Sequence, residues 1–219
     1  MFHHSPITKI KRQFVGEPTL ALIGLAFFTL FLSQCLKAES LTHYEPLTPM
    51  ANLSALVDIS IDESGAATYE LIIENSINVT WSKNENRSMN FGFQDKPIWL
   101  KGSLSNTQNT PRDLLLVVES PTLDYLDLYW TVGNKEASTV QTGNARPYDS
   151  RAIDNRNFVF PLTIPAKQTA EFYLRAQEAG SLQIPLTAWE PNAYYERYQY
   201  EQTKFALYFG VLITLIFYN

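Results

Sequence analysis

At 219 residues, with 45% apolar and 18% charged side chains, the chain can hold one domain of ordinary size plus flanking segments, and wholesale disorder is excluded. The net charge is −5 and the basic residues are scattered apart from Lys9, Lys11 and Arg12, so nucleic acid is excluded as an expected partner. Cys35 is the single cysteine, which leaves Leu41 onward without a disulfide or a thiolate metal site, as suits a bacterial periplasm.

Residues 1–19 are polar and net positive, and Leu20 to Leu32 is an apolar run of 13 residues. That layout is a signal sequence or an uncleaved N-terminal anchor over 1–40, the run being shorter than the span of about 20 residues that crosses a bilayer. Leu32-Ser33-Gln34-Cys35 has the outline of a lipoprotein box, but Gln34 stands where a small residue is wanted beside a lipidated cysteine. The leader does not decide between cleavage, anchoring and acylation of Cys35.

From Leu41 to about Lys204 the pattern is one of short strands. Leu56 to Ile61 alternates, with Val57, Ile59 and Ile61 on one face and Asp58 on the other. Asp62-Glu63-Ser64-Gly65 is a turn, and Thr68 to Asn75 predicts a short helix with Leu71 and Ile72 inward. Asn90 to Ser105 carries two strands joined at Gln94-Asp95-Lys96-Pro97, with Trp99 facing away from Leu100, Gly102 and Leu104. Asp113 to Glu119 is nearly continuous aliphatic and reads as a central, two-sided strand. Leu123 to Val132 puts Leu126, Leu128 and Trp130 opposite Tyr125, Asp127 and Tyr129, and Phe158 to Ile164, Ala170 to Ala176 and Leu182 to Trp189 supply three more strands. Pro161, Pro165 and Pro185 mark edges or bulges, because proline cannot donate to a ladder. About eight antiparallel strands predict an all-β domain, a sandwich.

The stretch Val140 to Arg175 concentrates the candidate chemistry. A strand end closes at Thr142-Gly143-Asn144, and a polar loop then holds Arg146, Tyr148, Asp149, Arg151, Asp154 and Arg156 before alternation resumes. Loops of a sandwich carry function while its strands carry the core. Arginine forks and aromatic faces suit a saccharide or an organic anion, so Arg146, Tyr148, Arg151 and Arg156, with Trp99, Tyr129, Trp189 and Arg175, are the candidate ligand-binding residues. The bland alternatives are a solvated loop, Trp99 and Trp189 as core residues, and Arg175 paired with a carboxylate across the sheet. After the leader the only histidine is His43, and no glycine-rich phosphate loop is present, so a catalytic triad lacks its parts and neither an enzyme nor a cofactor or metal is expected.

Pro191 to Lys204 switches to a helical, aromatic-rich connector in which Trp189, Tyr194, Tyr195, Tyr198 and Tyr200 gather ahead of an apolar run, as in an interfacial belt, or alternatively as one face of an amphipathic helix packed on the sandwich. Phe205 to Tyr218 holds no charge in 14 residues, about 21 Å of helix against a hydrocarbon core of about 30 Å. It reads as the start of a first transmembrane helix of a longer protein.

One ordered set of short pieces bears a likeness to a known family: Asn90-Phe91-Gly92-Phe93, Ile98-Trp99-Leu100-Lys101, Leu104-Ser105-Asn106, Leu128-Tyr129, Thr142-Gly143-Asn144 with Pro147-Tyr148 and Arg151, Phe158 to Leu162, Phe172-Tyr173-Leu174-Arg175, then Leu207-Tyr208-Phe209-Gly210 closing on Tyr218-Asn219. Over Leu56 to Asn219 the chain resembles the extracellular sensor domain of the 7TM-DISM receptors, bacterial seven-transmembrane receptors with diverse intracellular signalling modules. The resemblance implies a jelly roll similar to carbohydrate-binding modules, seven membrane helices after it, and a cytoplasmic output such as a diguanylate cyclase or a histidine kinase. It agrees with the loop reading on Arg151, and departs from the family pattern at Asn144, where an acid is common, and at Tyr148, where Phe is usual.

The expected organisation is therefore a signal segment over 1–40, a periplasmic jelly-roll sensor over 41–190, an aromatic connector helix over 191–204 and the start of a transmembrane helix over 205–219. The expected function is sensing of a carbohydrate or small organic anion by a receptor in the bacterial inner membrane, with 41–204 in the periplasm and a second copy of the chain as a candidate partner. A membrane-tethered protein-interaction module and a lipoprotein adhesin are the alternatives from other classes.

Overall fold

The computed structural model describes residues 43–44, 49–84, 88–133 and 135–218, and Leu41–Asn219 forms one compact unit. The expectations for 1–40 lie outside the described residues. In chain order the strands are β1 (His43–Tyr44), β2 (Met50–Asn52), β3 (Asp58–Ile61), β4 (Ser82–Lys83), β5 (Asn90–Phe93), β6 (Ile98–Ser105), β7 (Arg112–Val118), β8 (Tyr125–Val132), β9 (Ser138–Thr142), β10 (Phe158–Ile164), β11 (Thr169–Gln177), β12 (Ser181–Gln183) and β13 (Leu186–Trp189). Helix α1 (Tyr69–Ile73) follows β3, a 3-10 turn spans Tyr148–Ser150, and helix α2 (Pro191–Tyr218) follows β13.

Two mainly antiparallel sheets face one core, β1 pairing parallel with β6. The larger has seven strands, in the order β4-β3-β6-β11-β8-β9 with β1 alongside β6, and the smaller has the order β10-β7-β13-β2; β5 and β12 form a separate pair. Ile98, Leu100 and Leu104 of β6, Leu126 and Leu128 of β8 and Phe172 and Leu174 of β11 meet Leu114, Leu116 and Val118 of β7 and Phe158, Phe160 and Leu162 of β10. The two sheets share this core, into which the inward residues of their strands point. Neither sheet closes on itself.

Several strands behave as their sequences require. β7 is buried at five consecutive positions and lies between β10 and β13, the two-sided placement its aliphatic run demands. Pro161 sits in β10, an edge strand, where its missing N–H costs no ladder bond. The expected single strand from Leu182 to Trp189 is divided by Pro185 into β12 and β13, which serve different sheets. β5 pairs with β12 and not with β6. In α1 the inward residues are Tyr69 and Ile72, one turn apart, and not Leu71. Thr68 caps its N-terminus, accepting from the Leu71 N–H at 3.4 Å.

α2 begins on the outer face of the smaller sheet, where Tyr194 is buried with Leu115, Val117, Val159 and Trp189. Arg112 and Glu190 are paired at 2.6 Å, and Arg197 stands 3.4 Å from Glu119 and 3.0 Å from Glu201. From Glu201 to Phe217 the helix leaves the sandwich, and its apolar side chains from Phe205 to Phe217 are all exposed. Among the described residues no helix is long and apolar enough to cross a membrane.

Gly143 secures the turn that ends β9. Its φ is +137°, and a Cβ there would lie 2.1 Å from the Asp124 carbonyl oxygen. The neighbouring Asn144 and Ala145 N–H groups donate to the Leu123 and Asp124 carbonyls at 2.7 and 3.0 Å, so the backbone cannot retreat without breaking both bonds. Gly143→Ala is expected to lower the stability of the chain by about 3 kcal/mol or more, read as a fall in its urea midpoint, and an unchanged midpoint would contradict this packing.

Candidate functional site

The outward face of the larger sheet is built by the same alternation that builds its core. Register sets Ser60 opposite Trp99, Trp99 opposite Arg175, Arg175 opposite Asp127 and Asp127 opposite Gln141. The adjacent row runs Asp58, Lys101, Tyr173, Tyr129 and Thr139. Directly opposed side chains lie close enough to touch, so two polar and aromatic rows cross the sheet from β3 to β9.

An aromatic cover closes over the middle of these rows. Tyr69 of α1 stacks on Tyr129 with ring centroids 4.7 Å apart and meets Tyr173 edge-on at 5.5 Å. Trp81 meets Tyr173 edge-on at 6.1 Å, and Trp99 lies against Tyr129 at 5.9 Å. Ala67, Ile72, Ile77 and Val79 complete the cluster. Trp99 is thereby 0% exposed, although it points away from the main core.

Beside Trp99 a cavity of about 910 Å3 opens between β3 and the segments on either side of α1. Ser60, Ser64, Thr80, Asn84 and Trp99 give it polar and aromatic walls, Asp62, Glu63 and Lys83 bring charge, and Ile59, Ile61, Ile77, Val79 and Phe91 make an apolar lining. The Asp62 carboxylate fixes its rim, accepting from the Ser64, Gly65 and Ala67 N–H groups at 3.1, 3.0 and 2.9 Å. The indole Nε1–H of Trp99 is buried with no acceptor in the protein. A buried donor without a partner costs about 1–3 kcal/mol.

Burial pushes the phenols of Tyr69 and Tyr129 above the ordinary value of 10.0. For Tyr69, the neighbouring Tyr173, Glu171 and Glu70 add to that effect, whereas Gln141 lowers Tyr129 part of the way back by a hydrogen bond. Groups whose folded pKa is raised keep their full contribution below the unfolded pKa and lose it as pH rises through the folded value. The urea midpoint is therefore expected to fall above about pH 10, and less steeply in a Tyr69→Phe, Tyr129→Phe double variant than in the wild type.

The eight residues singled out by sequence separate into five places. Trp99 and Tyr129 belong to the covered cluster. Arg146 and Arg175 converge on Asp127, which is buried: Arg146 Nη1 donates to Asp127 Oδ1 and to the Thr142 carbonyl, and Arg175 Nη1 lies 3.8 Å from Oδ2. Arg146 also stacks over Tyr125 at 5.2 Å, and Arg175 donates to Gln177 at 3.1 Å. Both guanidinium groups are thus committed to the protein's own carboxylate. Arg151 clips its loop, donating to the Asn155 and Arg156 carbonyls at 2.7 and 2.9 Å with its guanidinium 4.4 Å from the Phe158 ring and 4.9 Å from that of Tyr148. Tyr148, 57% exposed, donates to Asp154 at 2.6 Å, a bond that holds its proton and raises its pKa. Arg156 stands apart, in a second cavity against α2. Trp189 packs under Tyr194 at the start of α2.

The residues that sequence reasoning missed are Tyr69, Tyr173, Trp81 and the cavity wall around Ser60, Asp62 and Asn84. Tyr173 was open to detection, since it alternates with Phe172 and Leu174 on the best-patterned strand. Beyond Ser60 of β3, the wall comes from segments with no period of their own.

The larger sheet thus carries an aromatic cover with a cavity at its margin, and the smaller sheet carries the start of α2. The family model 7TMR-DISM extracellular 2 matches residues 54–190, and the chain belongs to that family, whose domains are extracellular sensors of membrane receptors. No curated protein matches the sequence. Among solved structures, a family GH115 4-O-methyl-alpha-glucuronidase with specificity for decorated arabinogalactans is similar at 12% identity and a TM-score of 0.28, over 47% of this chain and 15% of that one. A likeness that weak bears on neither fold nor ligand.

Proposed function

We propose that the cavity beside Trp99 takes a neutral polyhydroxyl ligand, a saccharide, and that the domain reports its occupancy through α2. The observation that carries this reading is that Trp99, whose buried indole N–H has no acceptor in the protein, borders a 910 Å3 cavity together with Ser60, Thr80 and Asn84. Serine, threonine and asparagine side chains around a tryptophan suit hydroxyl groups, and a cavity of several hundred cubic ångströms suits a small ligand. An organic anion finds Lys83 at the cavity, but Asp62 and Glu63 border it too, and the arginines lie elsewhere. Arg146 and Arg175 are spent on Asp127, and Arg151 on backbone carbonyls.

In this reading residues 41–204 lie in the periplasm at a bacterial inner membrane, in a jelly-roll arrangement, and α2 leads into the lipid as the first of the receptor's membrane helices toward a cytoplasmic output module. A ligand shifts the equilibrium between two arrangements only by its difference in affinity for them. The route open to it runs from the larger sheet through the shared core to β7 and β13, whose ends hold Glu119, Trp189 and Glu190. Glu119 and Trp189 grip α2 through Arg197 and Tyr194, and Arg112 of β7 holds Glu190 just ahead of the helix. A second copy of the chain is a candidate partner for the exposed length of α2.

Calorimetry of the detergent-purified full chain against maltose, cellobiose and a set of dicarboxylic acids tests the ligand class. Binding of a sugar, weakened about tenfold by Trp99→Phe, which keeps a ring and removes the donor, is the expected result. Binding of acids alone, or a sugar affinity indifferent to Trp99→Phe, would overturn it.

A further inference from the structure

A second cavity, of about 620 Å3, lies where α2 leaves the sandwich, lined by Arg156 and Asn157 of the loop before β10 and by Tyr198, Lys204, Phe205 and Tyr208 of the helix. Glu119 and Glu201 also border it, but Arg197 answers both, at 3.4 and 3.0 Å. Arg156 and Lys204 have no carboxylate partner among the described residues; the Lys204 ammonium rests 4.1 Å from the Tyr200 ring. Arg156 is held at this mouth because Arg151 bonds its carbonyl at 2.9 Å. Immediately past Lys204, α2 is uncharged and its apolar side chains are exposed.

We infer that this cavity binds the phosphate headgroup of an acidic phospholipid. Arg156 and Lys204 supply the charge, Tyr198 lies at headgroup depth, and the acyl chains run along the face that begins at Phe205. Arg156, Lys204 and Arg197 against Glu119 and Glu201 leave a net positive charge that complements one phosphate, and a lipid is the one phosphate carrier whose tails also match the exposed face beside them. Arg156 belongs to the sandwich and Lys204 to the helix, so one headgroup holds the sensor body against the stem that leaves it. The inference rests on the reading that α2 leads into a membrane.

The test floats the full chain, diluted from detergent, on vesicles of phosphatidylcholine and on vesicles in which phosphatidylglycerol replaces part of it. The wild type is expected to bind the acidic vesicles about 25-fold more tightly, with Arg156→Gln and Lys204→Gln each removing about fivefold and Lys135→Gln, in the loop between β8 and β9, removing nothing. Equal binding to both vesicles overturns the headgroup site while leaving membrane entry intact. Binding to neither removes the underlying reading of α2, and the site with it. An acidic preference that survives in the Arg156→Gln, Lys204→Gln double variant shows general surface attraction and also overturns the site.

Discussion

On β11, Phe172 and Leu174 point one way while Tyr173 and Arg175 point the other, and the domain depends on that alternation staying in step across β6, β11 and β8. β11 pairs with β6 from Thr169 to Ala176 and with β8 from Ala170 to Gln177. A slip of one residue in either pairing would bring Tyr173 and Arg175 into the aliphatic core and expose Phe172. Gly102 pins the register from β6, since any Cβ there would meet the Phe172 ring at 2.6 Å. The hydrophobic layer and the polar rows on its reverse are thus one choice, made once, by side chains of opposite character on neighbouring positions.

That choice leaves a problem on the outward face, where aromatic rings would stand in water. The chain resolves it by folding the segment between β3 and β4 back over the sheet, so that Tyr69, Ile72 and Trp81 cover Tyr129 and Tyr173. The cover is short, rests on ring contacts and leaves a cavity at its margin. On the same face the Asp127 carboxylate draws Arg146 inward from its loop and Arg175 from the neighbouring strand. A buried carboxylate between two guanidinium groups fixes that end of the sheet while the cavity end keeps an unpaired donor. The two ends of the row from Ser60 to Asp127 therefore differ in what they offer a ligand.

Much of this frame is legible in the residues. The alternation of Leu126, Leu128 and Trp130 against Tyr125, Asp127 and Tyr129, the two-sided burial of β7 and the edge position of Pro161 all follow from period and from proline's missing donor. The division of Leu182 to Trp189 at Pro185 was less visible, because β12 and β13 are each too short to show a period. The candidate site was legible only in its letters. Arg146, Arg151 and Arg156 lie within eleven residues of one another, yet one binds a carboxylate, one binds backbone carbonyls and one faces α2, since partners for a guanidinium are chosen by tertiary contacts that sequence spacing does not encode. The burial of Trp99 on the face away from the core depended on a cover with no periodic signal of its own.

The central claim is that Trp99 offers its indole proton to a ligand. The indole region of a nitrogen–proton NMR spectrum of the full chain reports it directly, with Trp99→Phe assigning one of four tryptophan signals. The account predicts a slowly exchanging Trp99 signal at the high-field, unbonded end, which moves downfield when a neutral disaccharide is added and stays in place with a dicarboxylate. A Trp99 signal already at a hydrogen-bonded position and indifferent to sugars would contradict it.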